Sequence, residues 1–122
     1  MFGMLKKAQL GDLPGRWMRV NDSFAGCIIE ITHGTSKLQG KLVVCPGTMQ
    51  SYGWHVGQLK WRNIVHTKRN RFILEDLYLT YDKNTQSLIN STYRATEFKL
   101  ADADTIHISE GHIRQVWQRV SR

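Results

Sequence analysis

From Arg16 onward the chain is written in short runs of β-branched, aromatic and aliphatic residues, each stopped by Gly, Asn, Asp or Pro. The runs fall at 16–20, 26–33, 38–45, 58–66, 71–81, 91–100, 104–109 and 112–120. Between them stand Asn21-Asp22, His33-Gly34-Thr35-Ser36, residues 46–57, Lys68-Arg69-Asn70, Asp82-Lys83-Asn84, Asp102-Ala103 and Glu110-Gly111. No link carries a helical pattern long enough for the crossover that parallel strands require. Eight successive strands therefore predict an all-β antiparallel meander, and closing it into an up-and-down barrel removes the two edges it would otherwise expose. Residues 1–14 read as a short helical lead-in built on Phe2, Leu5 and Leu10, and residues 15–122 as the barrel domain.

Alternation along the runs assigns an interior. Trp17, Ile29, Ile31, Leu42, Val44, Leu59, Trp61, Val65, Phe98, Leu100, Ile106, Ile108, Ile113 and Trp117 are expected to face inward. The fifth run resists one phase: Phe72 and Leu74 alternate one way, Leu77, Leu79 and Tyr81 the other. A β-bulge near Glu75-Asp76 would turn its second half over; burial on both faces is the other account. Trp17 on the first strand and Arg119 on the last are expected to close one barrel end, the guanidinium lying over the indole face.

Cys27 is in phase with Ile29 and Ile31, whereas Cys45 is out of phase with Leu42 and Val44. The two thiols are therefore expected on opposite sides of the sheet and free. The opening Met1-Phe2-Gly3-Met4-Leu5 is cut off by Lys6-Lys7, and no apolar run approaches the ~18 residues of a membrane span. These features predict an untargeted cytoplasmic protein without a transmembrane segment.

The five histidines are scattered, without paired ligand spacing, and no nucleophile–base arrangement or phosphate-cradling glycine loop is visible. Adjacent Glu75 and Asp76 on a strand face opposite ways and cannot readily share a substrate. No catalytic residue, metal or cofactor is expected, and the chain reads as a binding module rather than an enzyme.

Two kinds of partner fit. The longest link, 46–57, offers Tyr52 and Trp54 as rings with polar tips over a barrel mouth. Trp61 and Trp117, with Asn63, Arg94 and Gln115 in phase with lining positions, complete a candidate site for a small hydrophobic or amphipathic molecule. Alternatively, the net charge of +7 and the acid-free stretch holding Lys60, Arg62, Lys68, Arg69 and Arg71 mark a patch for an acidic protein or nucleic acid, presented by a filled barrel.

Gly15-Arg16-Trp17, Val56-Gly57-Gln58-Leu59-Lys60-Trp61, Tyr93-Arg94-Ala95 and Trp117-Gln118-Arg119-Val120 together resemble the lipocalin-like, or calycin, superfamily over roughly residues 14–120. The resemblance implies an eight-stranded barrel in which Trp17 and Arg119 are structural. Only Asn21 to Ala25 separate the first two strands, so the helical insertion of the fatty-acid-binding branch has no room here.

Overall fold

The computed structural model describes residues 8–110 and 113–122. Eight strands follow one another: β1 (Gly15–Arg19), β2 (Ile28–His33), β3 (Leu38–Val44), β4 (Leu59–Lys68), β5 (Arg71–Asp82), β6 (Ser87–Asp102), β7 (Thr105–Glu110) and β8 (Ile113–Ser121). Each pairs antiparallel with its neighbours, and β8 returns to β1, closing the barrel. The expected up-and-down topology is what forms. A 3-10 turn at Leu10–Asp12 precedes β1, and one helical turn, α1 (Gly47–Gln50), lies in the link between β3 and β4.

Closure rests on Trp17 and Arg119, which are register partners on β1 and β8. The Trp17 ring is fully buried, its Nε1 donates to the Leu13 carbonyl at 2.8 Å, and the Arg119 guanidinium lies 4.3 Å from its centre. Arg119 also donates to the carbonyls of Asp12, Pro14 and Ala103 and to the Asp104 carboxylate. One side chain thus ties the lead-in, the β6–β7 turn and β8 together. The lead-in covers this end through Ala8 and Leu13, both fully buried, whereas Leu10 is exposed. Phe2 and Leu5 lie outside the described residues. Gly15 makes the entry (φ +132°): a Cβ there would meet the Ser121 carbonyl at 2.5 Å.

A connected group of aromatic rings occupies the interior. Trp61 meets Trp117 edge-on at 4.8 Å and stacks on Phe98 at 6.4 Å, and Phe98 stacks on Phe72 at 5.0 Å. Gly40, opposite Trp61, makes room for that indole; a Cβ there would stand 2.6 Å from Ile29 Cγ2 and 3.3 Å from Trp61 Cε3. Gly40→Ala is expected to destabilise by about 1–3 kcal/mol through overpacking, read as a lower denaturant midpoint.

Three expectations about the interior change. Val44 is 42% exposed, because the β2–β3 register slips between Ile28 and Ile29 and turns the end of β3 over. Val65 is only half-buried, and Ile64 takes its place in the core. The cause is Asn63, which adopts φ +53° within a register shift of β4 against β5. Leu59 is likewise half-buried, with Lys60 buried beside it. The side chain of Ile113 lies outside the described residues.

On β5 the expected bulge at Glu75-Asp76 is absent: its register with β6 runs unbroken from Arg71 to Thr80. Burial on both faces is the outcome, with Asp76 and Leu77 both enclosed. Tyr93, the register partner of Leu77, is partly buried against the core there.

Cys27 and Cys45 are both free, as expected, but both are buried, because the same slip in β2–β3 brings Cys45 inward. Burial pushes the Cys27 thiol up to about 12, and burial raises Cys45 as well. A thiol held protonated is a poor nucleophile. Native protein at neutral pH is expected to leave Cys27 unlabelled by an aromatic disulfide reagent, whereas denatured chain reacts at both positions. Because Cys27 titrates higher folded than unfolded, its contribution to stability is intact below about pH 9 and is lost as pH climbs towards 12. That alkaline decline should be shallower in Cys27→Ala.

Candidate functional site: the polar mouth of the barrel

Strand direction separates two ends. The turns at 34–37, 69–70 and 103–104 lie with Trp17 and Arg119 at the covered end. The links 20–27, 45–58 and 83–86 lie at the other, the mouth. Among the described residues five polar side chains are buried, namely Arg19, Lys60, Asp76, Thr96 and Gln115, and they gather toward the mouth. The interior is therefore apolar at its covered end, and toward the mouth buried charges stand among the apolar side chains of Cys27, Cys45, Met49 and Trp54.

Lys60 and Asp76 form a buried ion pair, and Lys60 Nζ also donates to the Leu77 carbonyl at 2.9 Å. The ammonium lies 4.7 Å from the centre of the Trp54 ring and 5.6 Å from that of Tyr78. Arg94, the register partner of Asp76, lays its guanidinium 4.3 Å from the Tyr78 ring centre. Trp54, Lys60, Tyr78 and Arg94 thus form a continuous series of alternating rings and cations. On the opposite wall Arg19 is held by Asp22 at 2.6 Å and lies over Phe24 and Trp117. The Gln115 carbonyl oxygen accepts from Trp117 Nε1 at 3.1 Å. Trp61 Nε1 is buried and has no hydrogen-bond partner among the described residues. Buried donors almost always find an acceptor, so this one marks a place where an acceptor is wanted.

The wall of the barrel opens beside this group. Pairing of β6 with β7 ends at Phe98 and Ile108, and β6 continues toward the mouth paired with β5 on its other side. Tyr78, Arg94, Ala95, Thr96, Glu97 and Ser109 line a cavity of about 320 Å³ at that parting.

No protein-family model, curated protein or solved structure matches this chain. The site must be read from its own atoms.

The sequence-derived ligand residues divide accordingly. Trp61, Gln115 and Trp117 meet in the interior, Trp54 folds back over Lys60, and Arg94 stands on the mouth rim. Tyr52 is exposed, 6.3 Å from Phe24 and 4.4 Å from the Lys83 ammonium. Asn63 does not line the interior: its positive φ turns it outward, where it donates to Glu75.

The expected basic patch is also redistributed. Lys60 is internal and neutralised by Asp76. Arg62 pairs with Glu75 at 2.6 Å and lies over the Tyr93 ring, and Arg71 pairs with Glu97 at 2.8 Å. Hydrogen bonds from Asn63 and Arg62 hold the Glu75 carboxyl below its ordinary range. Of the five patch residues, Lys68 and Arg69 alone make no ion pair among the described residues.

Sequence reasoning missed Asp76, Tyr78 and Arg19. The signal existed on β5: extending the phase of Phe72 and Leu74 by two and four positions reaches Asp76 and Tyr78. Of the five histidines, His112 lies outside the described residues. Among the described residues no helix is long and apolar enough to cross a membrane.

Proposed function

We propose that this protein is a non-catalytic, lipocalin-like binding module that holds a small amphipathic molecule at the polar mouth. The acidic or acceptor-bearing head lies toward Arg94, and the apolar part toward the rings of Tyr78 and Trp54. The observation that carries this reading is the opening between β6 and β7, where a cavity of about 320 Å³ meets Arg94, Tyr78 and Thr96. A volume near the lower end of small-molecule sites favours a compact ligand or the head of a longer one. Aromatic side chains already fill the deeper interior, so the reading is of a ligand held high in the barrel rather than swallowed by it. The closed eight-stranded meander supports placing the chain with the calycins.

Titration with anilinonaphthalene sulfonate, an amphipathic anion, tests this. Saturable fluorescence enhancement is expected, displaced by a medium-chain fatty acid and less well by the matching alcohol. Arg94→Ala should weaken dye binding about tenfold, the worth of a charge-assisted hydrogen bond. Absence of saturable binding, or equal affinity in Arg94→Ala, would remove the proposal.

A further inference from the structure

A second cavity, of about 240 Å³, is lined by Arg71, Glu97, Phe98, Lys99, His107, Ser109 and Arg114, drawn from β5 to β8. The sheet register explains why these residues converge. Lys99 has Arg71 on one side and His107 on the other, and Ser109 stands opposite Arg114. Inward positions on the same strands are taken by Phe72, Phe98, Leu100, Ile106 and Ile108, all buried, so the alternating polar set faces out. Lys99 on β6 and Arg114 on β8 flank β7, two strand spacings apart, and their long side chains line the same recess as His107 and Ser109 between them.

The charge balance favours an anion. Arg71, Lys99 and Arg114 contribute three fixed positive charges, whereas the cavity's one carboxylate, Glu97, is bound to Arg71 at 2.8 Å. Lys99 and Arg114 make no ion pair among the described residues. The unpaired Lys68 and Arg69 of the β4–β5 turn adjoin Arg71, whose register partner on β4 is Lys68. The guanidinium forks and the Ser109 hydroxyl supply the donors that phosphate oxygens accept.

We infer that this outer recess, which adjoins the mouth cavity at Glu97 and Ser109, is a phosphate-binding site built by Lys99 and Arg114 with His107 and Ser109. The phosphate is carried either by a nucleic-acid backbone running on toward Lys68 and Arg69 or by a free phosphate compound. The site differs from the patch expected on sequence grounds, because Lys60 and Arg62 take no part in it.

The full-length chain, titrated into a fluorescein-labelled single-stranded oligonucleotide at several salt concentrations, tests the site. Inorganic phosphate, and chloride at equal ionic strength, serve as competitors. Lys99→Ala and Arg114→Ala are each expected to weaken binding roughly three- to fivefold, and to reduce the slope of log affinity against log salt by about 0.7. Lys41→Ala removes the same charge from an exposed position on β3 and should change neither quantity. Displacement by phosphate beyond chloride identifies a site open to free phosphate; retention of the oligonucleotide identifies a polymer backbone; either sustains the site. Equal losses in Lys41→Ala and Lys99→Ala, or binding of neither probe, would overturn it.

Discussion

Asp76→Ala is expected to destabilise the barrel by about 3–5 kcal/mol, visible as a large drop in denaturant midpoint at neutral pH. Asp76 is 1% exposed and Lys60 5%, so the change leaves an ammonium enclosed with its counter-ion gone. The carbonyl of Leu77 and the Trp54 and Tyr78 rings cannot replace a full negative charge. A double variant separates the pair's net worth from the penalty of breaking it. In Lys60→Met/Asp76→Leu both charges disappear, and most of the lost stability should return. If the single variant melts like the wild type, Lys60 reaches water and the mouth is more open than the structure shows. The pair is expected to give the fold little net stability for its desolvation, and on the proposed function it keeps a polar, oriented surface at the mouth. The double variant should accordingly fold and still bind the amphipathic anion more weakly.

Trp17→Ala is the second large effect, at about 3–5 kcal/mol for truncating a fully buried ring. The indole loses its packing, its bond to the Leu13 carbonyl and its contact with the Arg119 guanidinium together. Trp17→Phe keeps a ring for Arg119 to cover but leaves the Leu13 carbonyl without its donor, so an intermediate loss is expected. Arg119→Lys tests the other partner. A point charge cannot reach the carbonyls of Asp12, Pro14 and Ala103 with one planar fork, and the lead-in should loosen from the barrel end. Faster amide exchange around Leu13, with β3 and β4 unchanged, would report that loosening. Unchanged melting of Trp17→Ala would take Trp17 out of the core.

The fold was legible because it depends on punctuation. Turn residues recur at short intervals, no link can hold a crossover helix, and β1 and β8 each carry a tryptophan in phase with the interior. The terminal pairing of Trp17 and Arg119 was readable for the same reason. Residue-level assignments failed wherever a register slip intervened. Val44 turned outward after the slip in β2–β3, and Asn63 with Val65 after the one in β4–β5. Period-two reasoning carries an error forward to the end of a strand, since one extra residue inverts every later side chain. Asn63 was a readable warning: asparagine tolerates positive φ better than its neighbours, and it interrupts an otherwise β-favouring run.

The mouth was harder to foresee because its parts come from separate strands. Lys60 looked like the start of a basic surface, and nothing local reveals that Asp76, sixteen residues on, encloses it. Arg94 and Gln115 were found by phase alone, and so their partners, Tyr78 and Trp117, could not be named as such. The short β6–β7 pairing that opens the wall is a property of unequal strand lengths in the closed sheet. Sequence runs at 91–100 and 104–109 already differ in length, but they do not show that β6 starts as early as Ser87 and so overshoots its neighbour by a further four residues.

The most direct test follows the indole N–H resonances of the four tryptophans during titration with a medium-chain fatty acid. A ligand seated at the mouth should move the signals of Trp61, whose Nε1 has no partner among the described residues, and of Trp54 beside Lys60, with one saturating curve. The Trp17 signal, bonded to Leu13 at the covered end, should stay in place. Movement of Trp17 alone, or of no indole at all, would contradict a ligand site at the polar mouth.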